Sequence, residues 1–169
     1  MTKPLSIGIL TAANFKNGPQ KANAIMAASL AERGHYVTLF VPLLPWYYYF
    51  VKVQRKPLAW VRYAFPNLLH WLTDRTFAFS DLLGQGEARD RISVKFVLRN
   101  ASRRQLSKLD NLYMDSVAQI AEYKNKFPQE NQIYLIWHPE EMAHGHADMF
   151  SEIRSSFKGQ TLVASPFTA

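Results

Sequence analysis

Residues 30–41 read LAERGHYVTLFV, and this stretch predicts the junction between a helix and a strand. Gly34 can take the left-handed backbone conformation that ends many helices. Residues 36–42, YVTLFVP, are mostly β-branched or aromatic, which is typical of a strand covered on both faces. His35 stands between the two elements. Because an imidazole at such a corner usually bonds nearby backbone, we expect His35 to be structural.

The residues before this junction complete a strand–helix–strand unit. Residues 5–10, LSIGIL, are a short apolar run that predicts a buried first strand, and residues 11–18 form a polar loop. A helix is predicted from Pro19 to about Arg33, because proline is well tolerated at a first helical position. The expected buried face of this helix carries apolar or small side chains: Ala22, Ile25, Met26, Ser29 and Leu30.

Further alternation follows along the chain. A strand with period two is predicted from alternating apolar side chains, Ile92, Val94, Phe96 and Leu98. A long helix is predicted from about Ser102 to Phe127, begun by a capping box of Ser102 and Gln105 and stopped by Pro128. The expected buried stripe of that helix is Leu106, Leu109, Tyr113, Val117 and Ile120.

The last part of the chain predicts two strands and one helix. Residues 132–137 and 161–165 are the strands, and residues 143–157 are a shorter helix. Strands that alternate with helices imply an α/β fold, with a Rossmann-like parallel sheet covered by helices on both faces.

Composition limits the class of protein. The chain has 169 residues, 48 % of them hydrophobic and 20 % charged, which predicts a single globular domain over residues 1–169. The absence of cysteine excludes disulfides and thiolate metal sites. The first residues resemble a strand more than a signal peptide, and no apolar run approaches the roughly 20 residues of a transmembrane helix. The net charge of +7 suits an anionic partner.

Within this alternation, LAERGHYVTLFV resembles the signature L-A-x-x-G-H-x-V-T-h of family 4 glycosyltransferases, which have the GT-B fold. The residues before it, IGILTAANFKNGPQKANAIMAASLAERGH, look like the first strand, loop and first helix of that family. The resemblance is strongest over residues 5–42 and weaker at QIYLIWHPE and TLVASPF. One departure is in the loop, where the family often has paired glycines and this chain has only Gly18.

This resemblance implies that the chain is the N-terminal, acceptor-side half of a GT-B enzyme. The C-terminal half, which binds the nucleotide-sugar donor in that family, is expected outside these residues, in a longer protein or in a partner chain. We therefore expect no cofactor here, and we expect the isolated chain to be a poor catalyst.

The loop after the first strand is the first candidate site. It lies at the carboxyl end of that strand, where open α/β sheets bind ligands, and a helix N-terminus follows it. Asn17, Gly18 and Lys21 are the residues predicted to contact a phosphate or a sugar. The alternative is an ordinary connecting loop.

His138 is the candidate catalytic residue. It directly follows a predicted strand, so it is expected at the carboxyl edge of the sheet. The resemblance implies that a histidine at such a position lies near the transferred sugar. Other histidines and carboxylates surround it at 137–148, but their H-G-H spacing chelates metal poorly, and no metal site is predicted.

Residues 43–79 are an aromatic and basic excursion from the alternating pattern. They hold five basic residues against one acidic residue, and three of the four tryptophans. Such a segment can bind an anionic membrane or lipid, pack its aromatics into the core, or stack single-stranded nucleic acid. No RNA-binding signature accompanies it, so no nucleic-acid partner is predicted. The membrane or lipid patch is predicted to comprise Trp46, Lys52, Arg55, Lys56, Trp60, Arg62 and Trp71.

Two main functions are therefore expected from the sequence. The first is the acceptor-binding half of an enzyme that transfers a sugar from a nucleotide-sugar donor to a glycan or a lipid-linked acceptor. The alternative is a non-catalytic, membrane-associated scaffold subunit that recruits a partner. A third possibility is another Rossmann-like ligand-binding protein. The predicted location is the cytoplasm, with peripheral contact to the inner face of the membrane.

Overall fold

The computed structural model describes residues 3–12, 14, 16, 18–44, 65, 67–73, 76–136, 152–153 and 155–163. Within these residues, six parallel strands form one sheet. The strands are β1 (Ser6–Leu10), β2 (Tyr36–Pro42), β3 (Ile92–Val97), β4 (Asn111–Met114), β5 (Gln132–Ile136) and β6 (Gln160–Val163). Their order in the sheet is β3-β2-β1-β4-β5-β6.

Helices connect these strands. Among the described residues they include α1 (Gly18–Glu32), α2 (Gly86–Asp90), α3 (Arg103–Leu106) and α4 (Val117–Tyr123). Residues 67–73 are also helical, and 3₁₀ turns occur at Ser80–Leu82 and Gln129–Asn131. In the part of the chain that the structure describes, no helix is both long enough and apolar enough to cross a membrane.

Two hydrophobic clusters lie on opposite faces of the sheet. Ile7 and Ile9 of β1 pack with the alanines of α1 in one cluster. Leu10 of β1 belongs to the other, which includes Val117 and Ile120 of α4. Because alternate residues of β1 enter different clusters, the sheet is covered by helices on both faces. The predicted Rossmann-like α/β fold is confirmed.

The junction at residues 30–41 has the predicted form. Gly34 has a φ of 91° and its N–H donates to the Ala31 carbonyl, so the helix ends at the left-handed glycine. β2 covers Tyr36–Pro42, as predicted. His35 Nδ1 accepts a hydrogen bond from Leu5 N over 3.2 Å. The imidazole therefore fixes the start of β1 against the start of β2, which agrees with a structural role.

The long helix predicted from Ser102 to Phe127 is wrong. The capping box of Ser102 and Gln105 is present, but α3 is only four residues long. β4 then runs through the middle of the predicted helix and pairs with both β1 and β5. The helical spacing of the apolar residues is misleading here. The backbone N–H and C=O groups of β4 form hydrogen bonds with strands on both sides, and this central pairing outweighs a local helical pattern.

The predicted faces of α1 and β3 also need correction. The buried residues of α1 are Gln20, Asn23, Ala24, Ala27 and Ala31. Ile25, predicted to be buried, is 48 % exposed. Alanines allow a helix to approach a sheet closely, and this proximity decided which face is buried. Leu98 lies beyond the end of β3 and is exposed.

The last predicted elements are only partly described. β5 and β6 lie where strands were predicted. Of the helix predicted at 143–157, residues 152, 153 and 155 are helical, and residues 143–151 and 154 lie outside the described part of the chain.

Candidate functional site

The winding of the sheet reverses between β1 and β4, and we use the word crevice for the carboxyl edge of the sheet at this place. β1 pairs with β2 on one side and with β4 on the other, so successive strands are added in opposite directions from β1. The connections after β1 and after β4 therefore leave the sheet towards opposite faces. The gap between them, at the carboxyl edge, is where open α/β sheets bind ligands.

Asn23 and Asp115 meet at this crevice. Asn23 is fully buried on the sheet-facing side of α1, and Asp115 directly follows β4. Asn23 Nδ2 donates a hydrogen bond to Asp115 Oδ2 over 2.8 Å. This bond connects the first half of α1 to the end of β4.

Gln119 of α4 holds the same region from the other side. Its Oε1 accepts from Asp115 N at 2.8 Å, and its Nε2 donates to the Leu10 carbonyl at 3.3 Å. Gln119 is 1 % exposed. One buried carboxamide therefore spans the ends of β1 and β4, and it fixes the backbone at Asp115.

Two oxygens of this group have no hydrogen-bond partner. Asn23 Oδ1 and Asp115 Oδ1 are buried and unpaired among the residues that the structure describes. Each buried acceptor left in this state costs about 1–3 kcal/mol.

The charge of Asp115 depends on pH near neutrality. Burial raises the pKa of its carboxyl group from 3.8 to about 6, although hydrogen bonds from Asn23 and Gln119 act in the opposite direction. Desolvation disfavours the carboxylate more than these neutral donors stabilise it. The group is therefore mostly an ionised acceptor at pH 7.

Asn14 anchors the loop after β1. Its backbone N–H donates to Asn67 Oδ1 at 2.9 Å, its Nδ2 donates to the Thr76 carbonyl at 3.0 Å, and its Oδ1 accepts from Ala78 N at 2.8 Å. Asn67 Nδ2 in turn donates to the Pro42 carbonyl at 3.1 Å. The helical residues 67–73 are thereby fixed against the carboxyl ends of β1 and β2.

The other side of this helical stretch is apolar and exposed. Phe65 is 61 % exposed and Leu72 is 58 % exposed. We call this surface the apolar face, and it comprises Phe65, Leu68, Leu69 and Leu72. Phe77, from the same excursion, is buried in the core. Among the described residues of the excursion over 43–79, some apolar side chains therefore pack in the core and others are exposed to solvent.

A small pocket opens at the same edge of the sheet. Its lining includes Thr11, Pro42, Arg99, Gln119 and Tyr123. The pocket has a volume of about 10 Å³, enough for one water molecule. It is too small for a sugar ring.

The predicted site residues have different outcomes. Gly18 is the first residue of α1, and Lys21 is exposed in its first turn. Trp71 is partly buried in the helical residues 67–73. The remaining predicted residues lie outside the described part of the chain: Asn17, His138, Trp46, Lys52, Arg55, Lys56, Trp60 and Arg62. No group of metal-ligating side chains occurs among the residues that the structure describes.

Sequence reasoning missed the buried polar residues of the crevice. Asn23 was overlooked because the wrong face of α1 was predicted to be buried. Asp115 and Gln119 were overlooked because they lay inside the predicted long helix. A signal was present, since Asp115 and Ser116 disfavour a helix interior and favour its start, and Ser116 Oγ does accept a hydrogen bond from Ala118 N.

Comparison with known proteins adds no family to this description. No protein-family model, no curated protein and no solved structure matches the chain.

Proposed function

We propose that the chain is the acceptor-binding half of a glycosyltransferase, which acts with a donor-binding half to transfer a sugar from a nucleotide sugar to a glycan or lipid-linked acceptor. The observation that carries this proposal is the reversal of the strand order between β1 and β4, where Asn23 and Asp115 are hydrogen-bonded to each other at the carboxyl edge of the sheet. Carboxylates and carboxamides are the side chains that recognise sugar hydroxyls through hydrogen bonds. The resemblance of residues 5–42 to family 4 glycosyltransferases supports the same assignment.

The apolar face supports a lipid-linked acceptor in particular. Asn67 fixes the helical residues 67–73 beside the loop after β1, and thus at the same edge as the crevice. Exposed leucines next to a polar crevice suit a molecule with an apolar tail and a sugar or phosphate head. The five basic residues of the excursion add attraction to an anionic lipid surface.

Sugar transfer can be tested with the complete reading frame, or with this chain and a neighbouring gene product that carries a donor-binding half. The protein is incubated with UDP- and GDP-sugars and a membrane lipid extract, and release of the nucleoside diphosphate is measured. We expect release that depends on the extract. The proposal fails if neither the reading frame nor a neighbouring gene encodes a second Rossmann-like half, or if release is independent of acceptor.

The second candidate function is a non-catalytic subunit that docks on membranes. The exposed apolar face favours it, because a surface of this kind binds the interface of a bilayer without any enzyme activity. Flotation with anionic liposomes tests this function. We expect the wild-type chain to float and Leu68→Ser/Leu72→Ser to stay at the bottom of the gradient.

Leu162→Ser provides the matched control, since Leu162 is also an exposed leucine but lies on β6, at the edge of the sheet. It should float like the wild type. Flotation of the wild type without sugar transfer in the complete system would favour the scaffold over the enzyme. Loss of flotation in the control alone would contradict binding through the apolar face.

A further inference from the structure

We propose that Lys95, Arg103 and Arg104 form a basic surface that binds the headgroups of an anionic lipid bilayer. The three side chains are exposed, and none of them is paired with a carboxylate among the residues that the structure describes. The inference goes beyond the proposed function, because it names the charge of the lipid and the side chains that select it, and because it requires no sugar transfer.

The segment that carries this basic surface has charges of one sign. Residues 91–108 contain six of the chain's 20 basic residues and none of its 13 acidic residues. The next carboxylate along the chain belongs to Asp110, and its Oδ2 already accepts a hydrogen bond from Ser6 N. Since no acid within the segment compensates these charges, the surface attracts an anionic partner.

The fold places the basic side chains on one face of the sheet. Val97 of β3 and Leu106 of α3 pack in the same hydrophobic cluster, so α3 covers the face to which Val97 points. Side chains two residues apart on a strand share a face, so Lys95 lies on that face as well. Ala101 N donates to Tyr123 Oη at 2.8 Å, and this bond fixes the connection just before α3.

Exposed acids lie on the opposite face of the sheet. Asp81, Glu87 and Asp90 are exposed on the 3₁₀ turn at Ser80–Leu82 and on α2. Apolar side chains of these two elements pack in the cluster that contains the alanines of α1. An anionic bilayer attracts the face that carries α3 and repels these carboxylates, so the charge distribution also orients the chain on the membrane.

An exposed leucine beside the basic surface favours a bilayer over other polyanions. Leu98 is 68 % exposed, and it lies between the basic residue of β3 and those of α3. Val97, the residue before it, is the register partner of Pro42, whose carbonyl accepts a hydrogen bond from Asn67 Nδ2. The helical residues that bear the apolar face are thus anchored next to the end of β3. Leucines beside arginines suit the interface of a bilayer, whereas single-stranded nucleic acid is bound by stacking on aromatic side chains.

Vesicle co-sedimentation tests the lipid preference. The chain is mixed with vesicles of phosphatidylcholine, or with vesicles of an equimolar mixture of phosphatidylcholine and phosphatidylglycerol, and the bound fraction is measured. We expect stronger binding to the vesicles that contain phosphatidylglycerol. The preference should disappear in about 1 M salt, where the Debye length falls to about 3 Å. Equal binding to the two kinds of vesicle at low salt would overturn the proposal.

Lys95→Gln/Arg103→Gln/Arg104→Gln tests the location of the binding surface. We expect the partition coefficient on the anionic vesicles to fall about a hundredfold, which corresponds to about fivefold for each charge removed. Binding to phosphatidylcholine alone should be unchanged.

Lys3→Gln/Arg33→Gln/Lys158→Gln is the matched control. It lowers the net charge by the same amount at three exposed residues just before β1, β2 and β6, and thus at the amino edge of the sheet. We expect this control to bind the anionic vesicles nearly as well as the wild type does. Equal losses in the two triple variants would show that net charge alone drives binding, and would overturn the proposed surface.

The remaining outcomes also decide the matter. If the triple variant of the basic surface fails to fold, Arg103→Gln/Arg104→Gln leaves β3 unchanged and should lower the partition coefficient at least tenfold. A single-stranded oligonucleotide that displaces the chain from the anionic vesicles, at an equal concentration of negative charges, would reassign the surface to nucleic acid. The proposed function fails separately. Selective binding to anionic vesicles without sugar transfer in the complete system would retain the basic surface and refute the enzyme, and transfer without any lipid preference would do the reverse.

Discussion

Asn23 Nδ2 donates to Asp115 Oδ2 over 2.8 Å, although the two residues are 92 positions apart in the sequence. The bond crosses the point where the sheet reverses its winding, so it joins the first βα unit to the strand that begins the other half of the sheet. This polar contact therefore connects the two halves of the sheet at the edge where open α/β sheets bind ligands.

Asp115 should make the stability of the fold depend on pH. Its pKa is raised in the folded state, so the folded protein binds this proton more tightly than the unfolded chain does. Its contribution is greatest below the unfolded pKa of 3.8 and is lost as the pH rises to about 6. We expect the free energy of unfolding of the wild type, measured relative to Asp115→Asn, to fall by about 3 kcal/mol across this window.

Urea denaturation of both proteins at several pH values between about 4 and 7 checks this expectation. Asp115→Asn replaces the titrating carboxyl group with an amide of nearly the same shape. The contributions of all other acidic groups are the same in both proteins, so they cancel when the two free energies of unfolding are subtracted. A difference that stays constant or grows with pH would contradict the burial of this carboxyl group.

Asn14→Ala should destabilise the loop after β1. The substitution removes the side chain that donates to the Thr76 carbonyl and accepts from Ala78 N, and it leaves both backbone groups without that partner. We expect a loss of about 1–3 kcal/mol in the free energy of unfolding, measured by chemical denaturation.

Lys16→Ala is the control for this loop, because Lys16 is exposed and only two residues away. Its effect should stay within about 0.5 kcal/mol, as is usual for surface positions. Equal effects of the two substitutions would show that Asn14 does not anchor the loop.

Gly8→Ala should overpack the centre of the sheet. A Cβ atom at this position of β1 would lie 2.5 Å from Leu109 Cδ1 and 3.0 Å from Leu112 Cδ1. Leu112 is fully buried and Leu109 packs partly buried against the same cluster, so we expect a loss of about 1–3 kcal/mol in the free energy of unfolding. Thermal or urea denaturation measures it.

Gly18→Ala offers the comparison, since a Cβ at Gly18 would meet no atom within 4 Å. Alanine is the better helix former at this first residue of α1, so stability should be unchanged or slightly higher. If Gly8→Ala proved as harmless as Gly18→Ala, the close packing of β1 against Leu109 would be refuted.

His35→Ala should lower the stability of the fold. His35 Nδ1 accepts from Leu5 N at the amino edge of the sheet, at the opposite end of the strands from the crevice. We expect a loss of about 1 kcal/mol in the free energy of unfolding. His35→Asn should recover part of it, because the amide oxygen can replace the accepting nitrogen. An unchanged free energy of unfolding in His35→Ala would contradict this structural contact.

The first βα unit was predictable because its signals are local. Gly34 ends α1 by its own backbone conformation, and the run YVTLFVP forms β2 without competition from any helical pattern. The stretch from Ser102 to Phe127 carried conflicting signals. Its apolar residues have helical spacing, yet the pairing of β4 between β1 and β5 placed a strand there.

The sequence by itself determined the alternation of strands and helices, the junction at Gly34 and hence the α/β class, because turn chemistry and hydrophobic runs act over a few neighbouring residues. Only the tertiary structure decided the strand order, the buried face of α1 and the meeting of Asn23 with Asp115. These features depend on contacts between residues distant in sequence. Alanines, and not the larger Ile25, face the sheet because the helix lies close to it, and that proximity also brings Asn23 to the crevice.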